Sequence, residues 1–119
     1  MMEITNLFRR IFMPKFISKD DYIFSLICRE VSKRYHIPLR LILSKTRERH
    51  ICEKRQIIQT MACDFTNLRH IEIAKRTCRN HSTIVHSRKA VHNAIQTDKR
   101  FATEYYALHT KISGKLINV

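Results

Sequence analysis

Glycine is almost missing from this chain. Its 119 residues include one glycine, Gly114, two prolines and no tryptophan. So little punctuation excludes a β-rich or loop-rich architecture, because hairpins and tight turns draw on Gly and Pro. It also excludes the Gly-x-x-x-x-Gly-Lys-Ser/Thr loop that cradles nucleotide phosphates. No apolar run reaches the roughly 20 residues a membrane-spanning helix needs. Acidic residues are scarce: 10 Asp and Glu stand against 23 Lys and Arg, for a formal net charge of +13. A charge of that size bears on partners more than on fold. It makes nucleic acid the leading partner class, with an anionic membrane surface second.

The chemistry of catalysis and of metal binding is equally thin. There is no His-Glu-x-x-His, no paired acidic motif and no Ser/His/Asp set, so the expectation is a protein that is not an enzyme. The four cysteines, Cys28, Cys52, Cys63 and Cys78, contain no Cys-x-x-Cys pair, and no secretory signal precedes them. They read as reduced thiols of a cytosolic protein. Cys78, His81 and His86 could be taken as metal ligands, but zinc patterns take their ligands in two pairs and the second pair is missing. No metal and no cofactor is expected.

What the chain does have is helical periodicity. Residues 1–17 carry Ile4, Leu7, Phe8, Ile11 and Phe12 among Arg9, Arg10 and Lys15, a short amphipathic extension that Pro14 should end. Ser18-Lys19-Asp20-Asp21 is a helix start, with a capping hydroxyl and acids in the first turn. The segment that follows, to Tyr35, sets Ile23, Ile27, Val31 and Tyr35 on one stripe. Pro38 can open a short helix through Leu43. Residues 44–49, Ser-Lys-Thr-Arg-Glu-Arg, form a basic loop. A longer helix from Ile51 to about Phe65 turns Ile57, Ile58, Met61, Ala62 and Phe65 inward, and residues 98–112 give a last helix striped by Phe101, Tyr105, Leu108 and Ile112. The chain is therefore read as all-α, with five to seven helices.

The most informative run is Arg79-Asn80-His81-Ser82-Thr83-Ile84-Val85-His86. Asn80 suits an N-cap, since its side-chain oxygen can accept a free first-turn N–H. His81, Ser82 and Thr83 then stand at the tip of a helix, with Ile84, Val85 and Val91 as apolar anchors behind. Leu68, Ile71, Ile73 and Ala74 supply a short supporting helix before it. Two helices meeting at a tight turn, the second with a polar tip, make a helix-turn-helix, whose second helix reads base edges from its N-terminal end.

From about Val31 to Val91 the chain resembles the C-terminal DNA-binding domain of the bacterial replication initiator DnaA. The matching pieces are Leu43-Ser44-Lys45, Arg55-Gln56, Phe65-Thr66-Asn67-Leu68, Glu72-Ile73 and His81-Ser82-Thr83-Ile84-Val85-His86, in the family's order and near its spacing. The resemblance implies a small, Trp-repressor-like helical domain with a helix-turn-helix and an added basic loop. On this basis residues 1–17 are an N-terminal extension, 18–96 the DNA-binding domain and 97–119 a C-terminal helix. It also implies binding to double-stranded DNA, with Arg47 in the minor groove. Asn80, His81, Ser82, Thr83 and His86 go to the major groove or adjacent backbone, and Arg55 and Gln56 to phosphates. Lys45, Arg49 and Arg79 join them as basic candidates. An arginine on a flexible loop suits an A·T-rich minor groove, where the negative potential is strongest. Hydroxyls and helix-start N–H groups suit phosphates and base edges.

Three departures from the family pattern carry chemical meaning. Asn80 stands where the family usually has Asp; Asn can donate as well as accept, which relaxes a cytosine preference toward adenine. The turn Thr77-Cys78-Arg79 lacks the family's glycines and is about one residue shorter. Cys63 stands where a basic phosphate contact is common. The initiator's nucleotide loop has no counterpart, so the expected role is a regulator of transcription or replication without ATPase activity and with no nucleotide partner. It is expected in the bacterial cytoplasm, at the nucleoid. The rival reading is an adaptor that keeps the scaffold and docks a protein through residues 1–17 or 98–112. DNA binding predicts that Arg47, Arg55, Arg79 and His81 converge on one basic surface, whereas an adaptor predicts a sizeable exposed apolar patch.

Overall fold

The computed structural model describes residues 18–77, 79 and 81–117, and of His81 the backbone alone. The readings of residues 1–17, of Cys78 and Asn80, and of the His81 side chain lie outside the described residues. Six helices and no strands are found in the described part: α1 Lys19–Tyr35, α2 Leu39–Ile42, α3 Arg49–Phe65, α4 His70–Arg76, α5 His81–Thr97 and α6 Lys99–Ile117. The all-α expectation holds.

The helix ends follow local chemistry. At the start of α1 the Ser18 hydroxyl accepts the Asp21 N–H at 3.0 Å, and Asp20 and Asp21 add acid to the first turn. Its end is closed by His36 in the left-handed region, φ 55°. The Ile37 N–H then reaches back to the Ser32 carbonyl at 3.2 Å, the six-to-one closure of a Schellman turn. Thr66 stops α3 in an extended conformation and donates its hydroxyl to the Ala62 carbonyl at 2.6 Å. The Glu72 carboxylate accepts the Arg69 N–H at 2.8 Å and so caps α4. A single residue, Asp98, separates α5 from α6. Its carboxylate accepts the Arg100 and Phe101 N–H groups, both at 3.1 Å, and starts the last helix.

α3 runs through the centre. It packs on α1, on α2, and on the α4–α5 pair, while α6 closes the far side against α1 and α5. The core is isoleucine-rich: Ile27, Ile42, Ile57, Ile58, Ile73, Ile84 and Ile112 are wholly buried, with Val31, Met61 and Ala62. Each such side chain stabilises the fold by about 1.5–3 kcal/mol. Leu108 and Ile112 of α6 belong to that same core. Two expected anchors differ. Val85 and Ile71 are exposed, at 44% and 46%. Ile84, Ser87 and Val91 form the buried stripe of α5, and Val85 stands a residue off it; in α4 the inward positions are Ile73 and Ala74.

Two acids of α1 tie it to later elements through ion pairs. Glu30 is 2% exposed, yet its carboxylate meets Lys115 at 2.7 Å and Lys111 at 3.3 Å. Burial pushes this acid up, but the two ammonium groups outweigh it and hold the carboxyl below its ordinary range. At the other end Asp21 accepts Arg76 Nη2 at 2.6 Å, and the arginine lowers its pKa.

Candidate nucleic-acid interface

The basic loop of residues 43–48 is not loose. The Ser44 hydroxyl donates to the Leu41 carbonyl at 2.6 Å and accepts the Thr46 N–H at 3.3 Å. Thr46 Oγ1 in turn accepts the Glu48 N–H at 3.3 Å. Serine and threonine turns of this kind bend the chain at low cost. Beneath the loop lies Arg55, 4% exposed. Its Nε donates to the Ile42 carbonyl at 2.8 Å, its Nη2 to the carbonyls of Ser44 at 2.7 Å and Thr46 at 3.2 Å, and its Nη1 to Cys52 Sγ at 3.4 Å.

Arg55 therefore corrects one expectation. It was expected on phosphates with Gln56, but its fork is occupied by three backbone carbonyls and its surface is gone. The cause is position: Arg55 lies one turn beyond buried Ile51 and one turn before buried Gln59, on the inward side of α3. Its role is structural, through the loop it holds. The loop, expected to be flexible, is fixed by the same bonds. Lys45 and Arg47 of the loop and Arg49 at the start of α3 are exposed, and Gln56 is half-buried.

The turn between α4 and α5 is joined to this loop. Arg79 Nη2 donates to the Ser44 carbonyl at 3.0 Å, so one oxygen receives two guanidinium groups. Sequence reasoning grouped Arg79 with Arg55 as basic candidates; the structure brings both to the loop they frame.

α5 is fixed from inside. Gln59, on α3, is 1% exposed; its Nε2 donates to Thr77 Oγ1 at 2.9 Å and its Oε1 accepts the Ser87 hydroxyl at 2.5 Å. Thr77 passes its own hydrogen to the Ile73 carbonyl at 2.9 Å. Three buried polar side chains thus join α3, the helix-turn-helix turn and the middle of α5. The sequence reading missed all three. The signal was available, because Gln59 lies one turn from Arg55 and Ser87 one turn from Val91 on the apolar side.

Outward, Ser82 and His86 of α5 are exposed and Thr83 is partly so. From Ile73 to Thr97 the chain holds no Asp or Glu, while Lys75, Arg76, Arg79, Arg88 and Lys89 fall inside that stretch. With Lys45, Arg47 and Arg49 nearby through Ser44, the loop and helix-turn-helix form a mainly basic surface, with Glu48 and Glu72 as its acids. Among the described residues no group of three His, Cys, Asp or Glu side chains is placed to hold a metal ion, and no helix is long and apolar enough to cross a membrane. The described cysteines are free, and burial pushes the Cys28 thiol up to about 12.

Comparison with known proteins agrees with the geometry. The model of the family described as bacterial dnaA protein helix-turn-helix matches residues 24–91. The chain is 29% identical over 114 residues, 93% of its length, to the chromosomal replication initiator protein DnaA of Flavobacterium psychrophilum. It is 32% identical over 89 residues, 75% of its length, to the protein of that name from Caldanaerobacter subterraneus subsp. tengcongensis, and 27% identical over 90 residues to that of Bacteroides thetaiotaomicron. The chain spans 24%, 20% and 19% of those relatives' own lengths.

Proposed function

The chain belongs to the bacterial DnaA helix-turn-helix family, and from that premise we propose that it binds double-stranded DNA with sequence preference. The observation that carries this reading is the union of loop and turn at the Ser44 carbonyl, where Arg55 and Arg79 both donate. A minor-groove arginine and a major-groove helix are useful together only if their separation is set, and that oxygen sets it.

In this reading Arg47 enters the minor groove, with Lys45 and Arg49 on flanking phosphates. Asn80, His81, Ser82, Thr83 and His86 meet the major groove or its edges, and Gln56 a phosphate. Arg79 adds charge at the turn while holding the loop. The biological role proposed is regulation of replication or transcription at initiator-type sites, in the bacterial cytoplasm at the nucleoid. The matched region is a binding module, and the reading assigns it no nucleotide and no catalysis.

The adaptor reading draws less support. The large exposed apolar residues Leu41, Ile71, Val85, Tyr106 and Ile117 are distributed over four helices. Selection from random duplex DNA at near-physiological salt tests the proposal. An enriched motif, with affinity falling steeply as salt rises, is the expected result. No enrichment together with a flat salt profile would overturn it.

A further inference from the structure

A cleft of about 500 Å³ lies between α5 and α6, over the C-terminal part of α3. Apart from Arg88 and Lys89, which also belong to the basic stretch of α5, the DNA reading uses none of its lining. Its apolar walls are Val85, Val91, Ile95 and the rings of Tyr105 and Tyr106. Val85 and Tyr106 are 44% and 55% exposed, so no other described residue covers this apolar surface. Arg88, Lys89 and His92 stand along one edge, exposed, on the stripe of α5 that also carries Val85.

The floor holds an unsatisfied polar group. Thr60 is 8% exposed, and its Oγ1 is buried without a hydrogen-bond partner among the described residues. A helical threonine usually returns its hydroxyl to the carbonyl one turn back. A buried hydroxyl left unpaired costs about 1–3 kcal/mol. The acid in the cleft is already engaged: Asp64 accepts the Tyr105 hydroxyl at 3.4 Å and lies 3.9 Å from His109 Nε2.

An apolar trough with a cationic edge describes one ligand chemistry. We propose that this cleft binds a small organic acid, an aryl or alkyl chain ending in a carboxylate. The chain lies against Val85, Ile95 and Tyr106, and the carboxylate meets Arg88 or Lys89. The volume is in the range of small-molecule sites, roughly 300–1,000 Å³. The site flanks the exposed stripe of Ser82 and His86 on the same helix, and it stands independently of the DNA reading.

The test is a titration of the 15N-labelled chain with 4-phenylbutyrate, 4-phenylbutyramide and acetate, read by amide chemical shifts. Saturable shifts confined to Val85, Ile95, Tyr106 and their neighbours are expected with phenylbutyrate. The amide should bind at least about tenfold more weakly, a difference that an ion pair in a partly dry cleft can supply. Arg88→Gln should weaken binding several-fold. Thr60→Val, which keeps the shape and removes the unpaired hydroxyl from the floor, should leave binding unchanged or tighter, with the thermal midpoint unchanged or raised. Equal binding of acid and amide would overturn the proposal. So would shifts with acetate as large as with phenylbutyrate, centred on residues 45–49, which mark general anion attraction. An acidic peptide carrying one leucine that seats in the cleft where phenylbutyrate does not would also overturn it, and would give the face to a protein partner.

Discussion

Ser87, in the middle of α5, donates its hydroxyl to the side-chain carbonyl of Gln59, in the middle of α3. Both side chains are buried, at 0% and 1% exposure. The helix that carries the exposed Ser82, Thr83 and His86 is thereby fixed in rotation by a directional bond as well as by apolar packing.

That bond predicts a pattern of stability. Ser87→Ala and Thr77→Val should each destabilise by about 1–3 kcal/mol, because each leaves one end of the Gln59 amide unpaired in the interior. Gln59→Leu combined with both should cost less than the singles summed, since the polar demand is removed entirely. Urea melts of the four proteins give the answer. Strict additivity would show that the three groups act separately.

Arg55 predicts a different result from an exposed basic residue. Arg55→Ala should lower stability by about 2–4 kcal/mol, through lost charge-assisted bonds to the Ile42, Ser44 and Thr46 carbonyls. It should also speed amide exchange at residues 44–48. Arg55→Lys should recover only part of both, because an ammonium cannot present the planar fork. Wild-type exchange in the Arg55→Ala loop would show that its turns hold without the arginine.

The Glu30 pair predicts a pH dependence. Its carboxyl is lowered in the fold, so its stabilising contribution is fully present above the unfolded carboxylate value, about 4.3, and is lost as pH falls through the lower folded value. The stability difference between wild type and Glu30→Gln should therefore be constant from pH 8 to about 6 and shrink below about 4. Chemical denaturation across that range measures it. A difference that grew on acidification would mean that burial, and not Lys111 and Lys115, decides the state of the acid.

Arg47 predicts a change in specificity with the fold intact. It is exposed, so Arg47→Ala should leave the melting curve within about 0.5 kcal/mol of wild type. It should weaken binding mainly to sites with A·T pairs beside the major-groove contact. Thr83→Ala should cost about 1–3 kcal/mol at one or two base positions only. Affinities on a panel of single-base variants separate the two, and a uniform loss across the panel would reassign Thr83 to phosphate.

Much of the helix plan was legible in the sequence. Ile23, Ile27 and Val31, and Ile57, Ile58 and Met61, fall at helical spacing and are buried as that spacing requires. Ser18 caps α1 as its position before two acids implied. What sequence reasoning lost were polar residues on inward faces. Charge on a helix ordinarily means solvent, so Glu30 passed without comment, and the family resemblance sent Arg55 to phosphate. Both are held inside by partners 13 and 85 residues away in the chain. Spacing alone cannot name such partners, although it can show that position 55 shares a face with Ile51. Val85 failed for the opposite reason. It is apolar, adjacent to Ile84, and about a quarter-turn off the buried stripe.

The Ser44 carbonyl makes a calliper of this molecule. One jaw is the loop that carries Arg47, the other the helix that begins at His81, and the hinge is locked by Arg55 and Arg79. Successive base pairs are about 3.4 Å apart along the duplex, more than a hydrogen bond of 3.0 Å can stretch and survive. Under the proposed DNA reading, such an instrument would measure a length as well as read letters. A DNA site with every preferred base present, but one pair inserted between the two grooves it grips, should be refused for its gauge alone.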